Sequence, residues 1–313
     1  MNVPSNTSPG LSDVRDVSVA PPRDVAPSED LARGANARLR QRRMLVYGLR
    51  ALFLVAIIGG WELGTRVGSG CSAAKTDSCL IDSFFWGQPS HIWSQIVTWI
   101  KEGTAQGPLW EQIVVTLEET VSGFAIGVVL GVVFGVVLGT NRFLADILGP
   151  YIKAANSIPR VALGSIFVIG LGLGMQSKVA LAVVLVFFIV FFNAFQGVRE
   201  VDRNLLANAR ILGASQRQLS TEVIIPSALS WITASLHTSF SFALVGAVVG
   251  EFLGAIQGIG LMIQTAQATF NASGVFAAMA ILVVVALIAD AIVTWLENRL
   301  IRWRPNAVTD VTI

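Results

Sequence analysis

Charge is scarce in this sequence: 13% of its 313 residues are Asp, Glu, Lys or Arg, against about 25% in an ordinary soluble domain. Apolar residues reach 53%, above the usual ~45–50%, so the chain belongs in a bilayer. Histidine is limited to His91 and His237. They are predicted on different elements, which excludes a histidine-built metal site and leaves each a structural role. No GxxxxGK followed by Ser or Thr is present, so the chain lacks a backbone cradle for nucleotide phosphates, and it has no HExxH. No nucleophile, base or metal set suggests an enzyme. The net charge of +2, without basic runs interleaved with aromatics, gives nucleic acid no footing.

Residues 1–43 carry Pro4, Pro9, Pro21, Pro22 and Pro27 and no apolar period. Such a segment buries too little to offset ordering, so a disordered tail is expected. Arg38, Arg40, Arg42 and Arg43 end it, directly before the apolar run from Met44 to Leu63. That run is longer than the ~7–15 apolar residues of a signal peptide and predicts an uncleaved first span.

A bilayer core demands about 20 mainly apolar residues per helix. Six stretches qualify: Leu45 to Thr65, Gln112 to Thr140, Val161 to Gly174, Val179 to Val198, Ala228 to Gly250 and Val275 to Leu296. The third is short and interrupted by Gly164, Gly170, Gly172 and Gly174. The expected fold is an all-α integral membrane protein with six transmembrane helices. Its membrane domain covers 44–304, with a short C-terminal tail over 305–313. Lys and Arg are retained on the cytoplasmic side. With both termini inside, 17 of the 22 Lys and Arg fall on inner segments, four on outer ones, and Arg50 within the first span. Both termini are therefore expected in the cytoplasm of a multi-pass cell-membrane protein.

On that topology Cys71 and Cys79 lie in the outer loop, where oxidation is permitted, and a disulfide or two free thiols are the open readings. In the same loop Ile92, Trp93, Ile96, Val97, Trp99 and Ile100 form a helical stripe that suits an interfacial helix. Gly127, Gly131, Gly135 and Gly139 repeat every four residues, a ridge for close helix packing. Pro159 either breaks the third span or merely starts it.

Several polar residues fall at membrane depth. Glu251, at the outer end of the fifth span, is either a gate or a helix-end charge. Asp290, deep in the sixth, needs a partner or lies on a solute route. Ser235, Ser239, Gly246 and Gly250 share one side of the fifth span, with Thr238 and Ser241 nearby. They serve close packing, a polar path, or both.

Between the fourth and fifth spans, 199–227 reads REVDRNLLANARILGASQRQLSTEVIIPS. It implies a short helix, a glycine turn, a second helix, and a proline where the next span begins. The spacing resembles the EAA loop of ABC importer permeases. Ala209, Gly213 and Pro226 match that pattern, while Ala207 stands for its glutamate, Asn208 for its first alanine, Val223 for its isoleucine and Ile225 for its leucine. The missing glutamate removes one charge from the contact with the ATPase. Further stretches, GQPSHIW, SGFAIGVVLGVVFGVVLG, SIPRVALGSIFVIGLGLG and VVGEFLGAIQGIGLMI, extend the resemblance over roughly 85–304. It is nearest to the nitrate, sulfonate and taurine class of ABC permeases. One departure is Glu118-Glu119, where that class carries an arginine near position 119.

The resemblance implies a permease homodimer in the lipid bilayer, bound to two cytoplasmic ATP-binding subunits and served by an extracytoplasmic solute-binding protein. It implies that the partner uses ATP and that this chain binds no cofactor or metal. Residues 204–217 would be the coupling helix, and Ser235, Thr238, Ser239 and Glu251 candidates for the path or gate. An ion-coupled secondary transporter is the alternative. It would need embedded ionisable pairs and repeated halves, and the hydropathy shows no inverted repeat.

Overall fold

The structure, a computed structural model, describes residues 29–69 and 83–300. Cys71, Cys79 and the expected C-terminal tail lie outside the described residues, as does most of the expected N-terminal tail. The described chain is helical, with no strand beyond an isolated bridge between Thr104 and Gly107.

The first helix, α1 (Glu29–Ser69), starts well ahead of the expected apolar run. Its bounds include 29–43, the last part of the segment read above as a tail. The segment from Leu31 to Leu39 is dominated by Ala, Leu and Arg, strong helix formers whose propensity outweighs the lack of an apolar face. Residues up to Gly60 form one unit, and a second unit begins at Trp61.

In that second unit, α2 (Ser83–Trp86) and α3 (Pro89–Lys101) precede the long α4 (Leu109–Thr140). Pro89 opens α3, where its missing N–H costs no helical bond. One face of α3 packs inward: Ile92 is buried, and Ile96 and Trp99 meet a cluster containing Ile259, Met262 and Ile281. The flank beside that face exposes Trp93 and Ile100. The expected interfacial stripe is therefore divided between the protein and its surroundings. Glu62 ties the end of α1 to this region by accepting from Gln88 Nε2 at 2.7 Å and from Ser90 N at 3.1 Å.

After α4 come α5 (Arg142–Asn156) and α6 (Arg160–Leu171), which meet at an angle of 86°. Pro159 directly precedes α6, and the residue before a proline is driven out of the helical region. The 12-residue α6 rises only about 18 Å, short of the ~30 Å hydrocarbon core. Among the described residues, five helices are long and apolar enough to cross a membrane, or six if the bent pair counts as one span. The third expected span is thus half of a broken element.

The α7 helix (Met175–Arg199) runs parallel to α4 and packs against it with an unbroken ladder of small residues. A Cβ placed on Gly127, Gly131, Gly135 or Gly139 would stand 2.7–2.8 Å from the Cβ of Val186, Val190, Ala194 or Val198 in turn. Both helices advance four residues per rung, so their backbones touch along most of their length. This is the packing device available where lipid removes the hydrophobic force between helices. Larger residues such as Val129, Val133 and Phe134 face outward.

The chain then forms α8 (Arg203–Ile211), α9 (Gln216–Gln218), a π-helical turn over Leu219–Ile224, α10 (Ile225–Leu253), α11 (Ile259–Ala268) and α12 (Ala272–Leu300). On α10, Gly246 and Gly250 approach the backbone of α7 at Ala182 and Lys178.

Candidate functional site

Two polar constructions stand at opposite ends of this bundle. The first is the segment between α7 and α10. Asp202 caps α8 by accepting from Asn204 N at 2.8 Å. Leu212 closes the helix, and Gly213 takes φ +85°, the left-handed geometry that glycine adopts without steric conflict. Ala214 N then donates back to Ala209 O at 3.0 Å. Ser215 and Gln218 restart the chain as a reciprocal capping box. Gln218 N donates to Ser215 Oγ at 3.3 Å, and Ser215 N to Gln218 Oε1 at 2.9 Å.

The expected helix, glycine turn and second helix are all present, but the second helix does not stop at Pro226. It continues through the π turn into α10, with Ile225 N donating to Ser220 O. Pro226 lacks an N–H and crowds the carbonyl four residues back, and a widened π turn absorbs both effects. Ala207, Asn208 and Gly213 are exposed, Ala209 and Val223 half-buried, and Ile225 and Pro226 exposed. At the tip, Ile211 is 82% and Leu212 87% exposed. Two large apolar side chains stand on a loop fixed at both ends and touch nothing that hides them.

The second construction surrounds Glu251 at the end of α10. Its side chain is completely buried. Oε1 accepts from Thr116 Oγ1 at 2.7 Å and Oε2 from Gly260 N at 2.6 Å. Thr116 Oγ1 in turn accepts from Ile259 N at 3.0 Å, and Gln112 Oε1 accepts from Gly258 N at 2.8 Å. The first backbone N–H groups of α11 and the residue before it, which have no partner within the helix, are therefore satisfied by side chains of α4 and α10. Gly258 is required: it takes φ +117°, and a Cβ there would lie 2.2 Å from the Glu251 carboxyl. Glu119, one turn further along α4, is also buried and meets the Glu251 carboxyl.

Lys178 on α7 supplies the cation near both acids. Its Nζ donates to Leu173 O at 2.5 Å and Gly174 O at 3.1 Å. Lys178 is fully buried. The arrangement fastens α4, α7, α10 and α11 together at the end of the bundle away from α8.

The remaining expectations divide. Ser235 and Ser239 are buried, and Ser235 donates to Ile232 O at 2.6 Å. Thr238 and Ser241 are exposed. Asp290 finds its partner in His237, with Nε2 and Oδ1 3.1 Å apart between α12 and α10. Gln112, Thr116, Glu119 and Lys178 were not singled out as partners of Glu251. They stand far from it in sequence, and only the Glu118-Glu119 anomaly hinted at them. Among the described residues no group of three His, Cys, Asp or Glu is placed to hold a metal.

Residues 127–302 match the family described as "Binding-protein-dependent transport system inner membrane component". The chain is 30% identical to the riboflavin transport system permease protein RibX of Chloroflexus aurantiacus, over 81% of this chain and 89% of that protein. It is 34% identical to the formylaminopyrimidine transport permease protein ThiX of Halalkalibacterium halodurans, over 58% and 73%. The taurine transport system permease protein TauC of Escherichia coli is 27% identical, over 72% and 82%. Among solved structures, a chain of the inward-facing MetNI methionine ABC transporter shares this fold. Its TM-score is 0.52 at 22% identity, covering 62% of this chain and 94% of that one.

Proposed function

The chain belongs to the family of binding-protein-dependent transport system inner membrane components, and from that premise we propose how it works. Two copies form the membrane pathway of an importer, an extracytoplasmic binding protein delivers the solute, and a cytoplasmic ATPase supplies the energy. ATP hydrolysis belongs to that partner, not to this chain. The carrying observation is the exposed apolar tip, Ile211 and Leu212, on a doubly capped loop next to Gly213. Exposed apolar side chains held rigidly suit insertion into a partner's groove. The segment including Ala207, Asn208, Ala209, Gly213, Val223, Ile225 and Pro226 then passes ATPase closure directly into α10, because the helix runs on without a break. Both termini and this tip lie in the cytoplasm on this reading.

Thr238, Ser241 and His237 form the exposed polar part of α10, and we assign it to the path between the two copies. Ser235 and Ser239 support that face from the α7 side, and Glu251 locks the outer end. The solute is a small molecule of the sulfonate, taurine or nitrate kind. The named cargoes of the relatives differ widely in chemistry, which agrees with selection by the binding protein rather than by the permease. The outer-loop Cys71 and Cys79 are assigned a disulfide, so alkylation in intact cells should require prior reduction.

Uptake tests the reading. Vesicles carrying this chain with its ATPase and binding protein should accumulate labelled taurine or a related sulfonate only with ATP. Accumulation driven by an ion gradient in the absence of ATP would restore the ion-coupled alternative.

A further inference from the structure

Two cavities of about 570 Å³ each adjoin at the end of the bundle that carries α8, and they share Asp146 and Arg199. Their walls differ in kind. One is apolar, lined by Leu138, Phe191, Phe192 and Phe195 with α5 as its other side. The other is polar and receives Arg142, Arg199 and Arg210, against which Asp146 is the single acid. Among the described residues none of these three arginines is ion-paired. Arg199 is stacked on Phe195 at 4.4 Å, which holds its guanidinium at the boundary between the two cavities. Their depth is set by the chain itself. Arg142 follows the last residues of α4, and Arg199 is the final residue of α7. Both stand where a membrane span gives way to the headgroup layer.

We propose that this double cavity binds one anionic phospholipid of the adjacent leaflet. Its phosphate lies among Arg142, Arg199 and Arg210, and an acyl chain lies against the phenylalanines of α7. The excess of cation over acid selects an anionic headgroup, since basic pockets between spans at the membrane surface attract such lipids. The guanidinium fork suits phosphate oxygens geometrically. A free phosphate would leave the apolar cavity unfilled, and an acidic peptide has no need of a hydrophobic hollow at this depth. The occupant places a lipid between α5 and α7, beside the loop that bears Gly213. The inference goes beyond the transport reading and does not depend on it.

The test uses the full-length chain in bilayer discs of phosphatidylcholine mixed with phosphatidylglycerol, with retained lipid counted by native mass spectrometry after gentle extraction. Phosphatidylglycerol should be retained in preference to phosphatidylcholine. Arg142→Gln and Arg199→Gln should each lower that preference about fivefold, equivalent to about 1 kcal/mol per basic group at the membrane surface. Lys101→Gln, at the end of α3, should leave it unchanged. Gly149→Leu provides a second route, because a Cβ at Gly149 meets nothing within 4 Å and the new side chain would enter the apolar cavity. It should reduce retention with every arginine intact. Equal retention of the two lipids, or displacement of the lipid by inorganic phosphate alone, would overturn the proposal.

Discussion

The Thr116 hydroxyl donates to the Glu251 carboxylate at 2.7 Å across 135 positions of sequence, while accepting from Ile259 N. One side chain thereby joins α4, α10 and the start of α11 in a region with no access to water. A buried acceptor or donor left without a partner costs about 1–3 kcal/mol. Thr116→Val, which keeps the shape and removes the hydroxyl, should lower thermal stability in detergent by that order. Thr116→Ser should recover most of it. Equal melting temperatures for the wild type and Thr116→Val would mean that the network is dispensable.

The α4–α7 ladder predicts a sharp positional contrast. At Gly131 a Cβ would stand 2.7 Å from that of Val190, whereas at Gly149 it would meet nothing within 4 Å. Overpacking a tight contact typically costs about 1–3 kcal/mol. Gly131→Leu should therefore reduce the yield of monodisperse protein in size-exclusion chromatography, and Gly149→Ala should not. Similar profiles for the two variants would contradict the close approach of the helices.

Gly213 has open space around it, so its requirement is conformational rather than steric. A β-branched residue held in left-handed geometry costs about 1–2 kcal/mol, enough to remodel the tip without unfolding the spans. Gly213→Val should preserve membrane insertion and reduce ATP-driven uptake at least severalfold, with ATP hydrolysis continuing uncoupled from it. Wild-type uptake by this variant would remove the loop from the coupling route.

What was legible in the sequence follows from the range of each signal. The glycine ridge of α4 announces itself by its four-residue repeat. Its opposite number, Val186 to Val198, is hidden in an apolar run that looks alike on all sides. The capped loop around Gly213 was readable because each of its bonds spans only a few residues. Glu251 and Asp290 stood out as charges at membrane depth, yet their partners Thr116 and His237 carry no local mark. The broken third span was visible as a short, glycine-rich stretch. The 86° turn into α5 was not, since Pro159 alone is compatible with either a helix start or a break. The glutamate at position 119, anomalous beside the resemblance, is buried near Glu251 with its Oε2 unpartnered among the described residues, and nothing in the structure explains the reversal of sign.

The exposed tip of α8 is proposed to dock an ATPase. The decisive experiment is purification of the tagged chain from its native membranes in mild detergent, with mass spectrometry and an ATPase assay of the eluate. A phosphate-loop ATPase should accompany the wild-type chain and be lost with Leu212→Asp, while the amount of permease stays the same. Absence of any ATPase from the wild-type eluate, or its undiminished recovery with Leu212→Asp, would contradict it.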